Sequence, residues 1–186
     1  MRLFVAIDVP DAWRDAAVQA TEALAQASGV RLRPVHPSLM HLTLRFLGEV
    51  PEDGVPRLIE ALRAAITAFD LELALGPAGT FGPPMRTQVA WLGITGDLEG
   101  LQHLAARIES AVRAAGLPPE DRPLRVHLTL ARLGRELRPD ERRAVAEAAR
   151  HLDAPPPLPF HAREVLLVRS TLANPRPLYE VLSRFG

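Results

Sequence analysis

His41-Leu42-Thr43-Leu44-Arg45-Phe46-Leu47-Gly48 and His127-Leu128-Thr129-Leu130-Ala131-Arg132-Leu133-Gly134 are two copies of one pattern, 86 positions apart, from 41 to 127. In an extended strand, residues i and i+2 share a face, so each copy sends its His and Thr one way and its two Leu the other. Leucine at the inner positions is what a core requires. Packing alone gives no reason for His and Thr to stand together on the outer face twice. The repeat therefore predicts two matched strands, each buried behind and polar in front.

Outward from the motifs the two halves read alike. In the first half, Val5 to Val9 reads as a buried strand. Pro10 and Asp11 open a helix that runs to about Ser28 and stops at Gly29. His41 to Leu47 is strand-like, a helix follows from Glu52 to about Phe69, and Leu71 to Leu75 is a strand. Gly76, Pro77, Gly79, Gly82, Pro83 and Pro84 then read as a loop between the halves. In the second half, a strand from Gln88 to Ile94 precedes a helix from Leu98 to Ala115, N-capped by Asp97 and stopped by Gly116. The second His strand spans Arg125 to Ala131, a helix runs from Pro139 to near His151, and strands at about Phe160 to Arg169 and Leu178 to Phe185 close the chain. The expected fold is α+β: one domain over residues 1–186, built from two repeats of about 1–80 and 85–186. Each repeat is expected to form an antiparallel sheet with helices on its outer face and the cleft between them.

Composition narrows the chemistry. The 186 residues suffice for one domain, and 47% apolar with 24% charged residues is ordinary for a globular chain. Twenty-two basic and 22 acidic residues cancel, so no global field draws in nucleic acid and any such contact must be local. Every basic residue is Arg, which excludes lysine Schiff bases and leaves guanidinium forks for anions. The absence of Cys removes disulfides, thiolate nucleophiles and cysteine metal sites. No apolar run approaches a membrane span or a signal peptide, so a cytoplasmic monomer without membrane contact is expected.

Two imidazoles facing each other across a groove suit in-line displacement at phosphorus. A neutral ring takes the proton of an attacking water, and a protonated ring gives one to the leaving oxygen. Thr43 and Thr129 are placed to donate to the non-bridging oxygens as charge builds there. Two His without Cys or a paired carboxylate make a poor metal set, so neither metal nor cofactor is expected. Arg45 is in phase with His41 and Thr43 and is a candidate phosphate contact. Phe4 and Phe81 are candidates to stack on a base, although core packing suits Phe4 better. His36, His103, His151 and His161 lack such a setting, and the prolines at 155–159 read as a rigid connector.

Paired His-x-Thr motifs half a chain apart resemble the two-histidine (2H) phosphoesterase superfamily. Arg2 to Pro10, Arg33 to Val50, the Trp91-Leu92-Gly93 strand, Arg122 to Arg132, Ser170 and Tyr179-Glu180 are similar to the RNA 2',3'-cyclic phosphodiesterases, first described as 2'-5' RNA ligases. The resemblance implies His41 and His127 as the catalytic pair, the first as acid and the second as base, with Thr43 and Thr129 as phosphate ligands. It implies Arg132 as a further phosphate or ribose contact, although strand parity from His127 points Arg132 toward the core. It also implies RNA with a 2',3'-cyclic phosphate end or a cyclic nucleotide as partner, a 2'-phosphate product, and possible reverse ligation. A sister activity on another small cyclic phosphodiester, such as ADP-ribose cyclic phosphate, and a non-catalytic module that binds RNA ends are the alternatives.

Overall fold

The computed structural model describes residues 1–121 and 123–186; Arg122, which opens one of the stretches carrying the resemblance, lies outside the described residues. The strands are β1 (Arg2–Asp8), β2 (Arg33–Pro34), β3 (His41–Glu49), β4 (Leu71–Phe81), β5 (Val89–Gly96), β6 (His127–Arg132), β7 (Phe160–Ala162), β8 (Val165–Thr171) and β9 (Leu178–Phe185). The helices are α1 (Asp11–Ser28), α2 (Val55–Ala65), α3 (Leu98–Ala114) and α4 (Pro139–His151). All described strand pairs are antiparallel, in the order β7-β4-β5-β6-β3-β1-β8-β9, with β2 added alongside β6. The fold is α+β, as expected. Two four-stranded halves join at one register pair, Leu42 opposite Leu128.

The last part of each sequence half crosses over. β4 pairs with β5 and β7, both from the second half, whereas β8 pairs with β1 of the first. Each HxT strand thus stands in a sheet that both halves of the chain complete.

Helix α1 shows how local sequence sets the elements. Trp13, Ala16, Ala17, Ala20, Thr21 and Leu24 are buried at helical spacing and form its inner stripe. Gly29 ends it in the left-handed region at φ 66°, its N–H returning to the carbonyls of Ala25 and Gln26. Trp13 is fully buried, its ring edge-on to Phe160 at 4.9 Å, and its indole N–H donates to the Leu158 carbonyl at 2.7 Å. The Pro157 carbonyl accepts from the Leu75 N–H at 2.7 Å, so the proline-rich connector is fastened to both a helix and a strand. Among the described residues, no helix is long and apolar enough to cross a membrane.

Two sequence expectations are corrected. Gly76 to Phe81 is the second half of β4, not a loop; a register shift between Leu75 and Ala78 absorbs Gly76 and Pro77. Gly79 belongs in that strand because Trp91 lies over it: a Cβ there would come within 2.3 Å of the indole. Phe160 to Arg169 is not one strand but two, since β7 pairs with β4 and β8 with β1 near opposite ends of the sheet.

Candidate active site

The pairing of Leu42 with Leu128 decides the geometry of the site. Both leucines are fully buried on the helix side. His41 and Thr43 flank Leu42, and His127 and Thr129 flank Leu128, so strand alternation turns all four to the face opposite the two leucines. The two rings are close enough for the charge of His127 to act on His41 and lower its pKa.

Both rings are oriented by the same device. His41 Nδ1 lies 2.8 Å from the Leu39 carbonyl, and His127 Nδ1 lies 2.6 Å from the Arg125 carbonyl, in each case two residues earlier in the chain. A carbonyl only accepts, so each Nδ1 carries a proton and each neutral ring keeps its lone pair on Nε2. His41 Nε2 is 3.0 Å from Thr43 Oγ1, which donates to it.

Aromatic rings hold the imidazoles from the side. Phe4 stacks on His41 with centroids 4.7 Å apart, and Tyr179 stands edge-on to the same ring at 5.6 Å. Phe81 meets His127 edge-on at 4.7 Å, with Trp91 beyond at 6.3 Å. Burial pushes both imidazoles below the ordinary histidine value of 6.5, against the opposing pull of their carbonyl partners. The positive charge of Arg132 lowers both further, while Asp8, across the strand pair from His41, raises that ring alone. Burial raises the Tyr179 phenol.

A groove of about 410 Å³ opens beside the pair, lined in part by Thr43, Phe46, Phe81, Leu124, Arg125 and His127. Among the described residues, no group of three or more His, Asp or Glu is placed to hold a metal ion.

The structure moves three residues named from sequence. In each motif the second leucine is an extra residue in its strand. Leu44 falls between the pairs Ala6–Thr43 and Val5–Arg45, and Leu130 falls between Trp91–Thr129 and Ala90–Ala131. Each bulge reverses the alternation that follows it. Arg132 is thereby exposed, and it acts electrostatically on both imidazoles. Its position corresponds to Phe46 of the first copy, whose ring is 53% exposed.

Arg45 takes the place that Ala131 holds in the second copy and turns toward α3. Its guanidinium donates to Glu109 Oε2 at 2.7 Å and to the Phe46 and Pro118 carbonyls, and Glu120 lies 3.6 Å away. It is a brace for the groove wall rather than a free phosphate fork. Phe4 is only 4% exposed and presents no face to a base; its place is against His41.

Tyr179 and Trp91 complete the aromatic setting, and sequence reasoning assigned them no contact with the rings. Their strands pair far along the chain from the motifs, so no local pattern points to them. Of the remaining His, His36 bonds to Ser38, His151 to the Glu147 carbonyl and His161 to Asp70.

Matched imidazoles and hydroxyls on adjoining strands of an antiparallel α+β sheet are the layout of a two-histidine phosphoesterase. The chain belongs to the 2'-5' RNA ligase superfamily, whose family model matches residues 9–174. It is 31% identical to an RNA 2',3'-cyclic phosphodiesterase of Archaeoglobus fulgidus, covering 100% of this chain and 99% of that one. It is also 31% identical to the enzyme of that name from Escherichia coli, over 100% and 96% of the two chains. Among solved structures, TT0787 of Thermus thermophilus superposes with a TM-score of 0.77 at 28% identity, over 100% of this chain and 97% of that one. E. coli LigT complexed with 3'-AMP does so with a TM-score of 0.75 at 28% identity, over 98% and 95%.

Proposed function

We propose that this protein hydrolyses the 2',3'-cyclic phosphate at the 3' end of RNA to a 2'-phosphomonoester. The observation that carries the proposal is the equivalent tethering of His41 and His127 by their Nδ1 atoms, which puts the lone pair of each neutral ring on Nε2, the atom that exchanges a proton with substrate. The relatives named RNA 2',3'-cyclic phosphodiesterase support the choice of substrate.

In this reaction His127 Nε2 takes a proton from water as the water oxygen attacks phosphorus. The bond from phosphorus to O3' breaks, and the imidazolium of His41 protonates O3' as it leaves. The product carries a 3' hydroxyl and a 2' phosphate. Thr43 and Thr129 donate to the non-bridging oxygens, and Arg132 faces their negative charge. His41 suits the acid role because Asp8, its partner across the strand pair, favours its protonated form. With a 5' hydroxyl in place of water, the same two proton transfers would join that oxygen to phosphorus as O3' leaves, giving a 2'-5' linkage.

The experiment is incubation of a cyclic-phosphate oligoribonucleotide with chelator-treated protein, followed by chromatography of the products. The rate is expected to be nearly unchanged by EDTA, because side chains supply acid, base and donors, and the product is expected to end in a 2' phosphate. A rate lost in EDTA and restored by one divalent ion would overturn the acid–base assignment. A 3' phosphate would show that the ribose sits in the opposite sense.

The pH dependence has a definite sign. Both imidazoles lie below 6.5 in the free protein, so the singly protonated pair accumulates only as pH falls through that region. The optimum of kcat/KM is therefore expected on the acid side of neutrality, as a bell belonging to the coupled pair. A bound anionic phosphate raises both groups, so the kcat bell should lie at higher pH than the kcat/KM bell. Arg132→Met, which removes a charge that lowers both rings, should also move the kcat/KM bell upward. A kcat/KM optimum above about pH 8 would contradict this account of the site.

A further inference from the structure

A second groove, of about 650 Å³, is lined by Met85, Arg86, Gln88, Val89, Arg132, Leu133, Arg135 and Arg142, with no carboxylate among them. In a chain whose charges cancel overall, four guanidiniums around one acid-free groove are a local concentration of positive charge. Arg142 is already committed, donating to the carbonyls of Thr87 at 2.6 Å, Gly134 at 2.6 Å and Leu137 at 3.1 Å. Those bonds tie the turn that carries Arg86 to the turn that carries Arg135, so the two banks are held relative to each other. The nearby Glu136 pairs with Arg33 at 2.8 Å, and the committed Arg142 also acts on it. Arg86, Arg132 and Arg135 have no ion-pair partner among the described residues, and Arg86 and Arg135 are exposed. Arg132 belongs to both places: it lines this groove, and the bulge at Leu130 brings it to the open face of the His pair.

We propose that this groove carries the phosphodiester backbone of the RNA on the 5' side of its cyclic end, with Arg132 at the head and Arg86 and Arg135 on the phosphates beyond. The inference rests on the reaction proposed above and adds to it a preference for oligonucleotide over mononucleotide. Guanidiniums without acids or stacked aromatic rings contact phosphate rather than bases, so the track is indifferent to sequence. It is also salt-dependent, since each phosphate contact on a single strand contributes about 0.7 to the slope of log K against log salt.

The test compares 2',3'-cyclic AMP with a ten-nucleotide RNA ending in a cyclic phosphate, using the whole protein and the double variant Arg86→Ala/Arg135→Ala. KM for the oligonucleotide is expected to rise about tenfold or more, and its salt slope to fall by about 1.4, two contacts' worth. kcat/KM for the mononucleotide should stay within about twofold, because neither residue reaches the reacting atoms. Arg63→Ala/Arg113→Ala, which removes the same net charge from α2 and α3, should leave both substrates unaffected.

An unchanged oligonucleotide KM and slope would overturn the proposal. So would equal losses on both substrates, or an equal effect of the α2/α3 control. Should the unaltered protein turn over neither substrate, the reaction proposed above fails by itself. The groove is then read by fluorescence anisotropy with a ten-nucleotide RNA ending in a 2' phosphate. Weaker binding by Arg86→Ala/Arg135→Ala alone would support the track, and equal binding by all three proteins would end it.

Discussion

Replacing His41 or His127 by alanine is expected to lower kcat by ~10² to 10⁴, the range for loss of a positioned general acid or base. Each variant should retain its fold, because both rings lie on the open face while the flanking leucines hold the core. The double variant should cost far less than the product of the two single losses, since acid and base act in one transition state. The two single variants should also differ in form. With His127 gone, the limb of the pH profile that reports the base disappears; with His41 gone, the limb that reports the acid does. Steady-state rates across pH on a cyclic-phosphate substrate check both statements, and near-normal turnover by either single variant would refute the two-histidine mechanism. Thr43→Ala and Thr129→Ala should cost less, because each removes one hydroxyl donor and leaves the proton relay intact.

Trp13→Ala is expected to destabilise the protein by about 3–5 kcal/mol, the range for truncating a fully buried large aromatic residue. The loss includes more than volume. The indole N–H is the partner of the Leu158 carbonyl, and the ring edge holds Phe160 at the start of β7. Truncation therefore opens a cavity under α1 and releases the connector that leads to β7. Trp13→Phe keeps much of the packing and leaves the carbonyl unpaired, so a loss of about 1–3 kcal/mol is expected. Urea unfolding at 25 °C measures both. A change under ~1 kcal/mol for Trp13→Ala would mean that the indole is not the keystone its burial implies. Activity per folded molecule should survive, because Trp13 lies on the helix side of the sheet.

Much of this could be read from the chain itself. The two HLTL copies, their common face and the order of elements were legible because they depend on local alternation and on caps such as Gly29. What escaped the sequence was decided by partners. The bulges at Leu44 and Leu130 are produced by the strands opposite them, and counting by twos cannot see them, so Arg45 and Arg132 exchanged places relative to expectation. Gly76, Pro77 and Gly79 look like loop residues until the register shift after Leu75 and the Trp91 ring over Gly79 are known. Phe4 reads as packing ahead of a stacking platform, but that its partner is the ring of His41 is seen only in the fold. The arginine groove gathers residues from a turn, a strand and a second turn, a grouping that exists only after folding.

The exchange of β4 and β8 between the two halves has a consequence for ancestry. Fusing two self-sufficient modules end to end would leave each repeat pairing its own strands. Here β4 finds its partners only in the second half, and β1 is flanked on one side by β8. A single ancestral unit with this connectivity would leave its last strand unpaired, an edge that invites a second copy to supply the missing neighbour. The arrangement is the one that a strand-swapped homodimer would leave if its two copies were joined into one chain. In such a dimer the two histidines would be one residue and its copy facing each other across a twofold axis, and Asp8, which acts on His41, sets the two sides apart here.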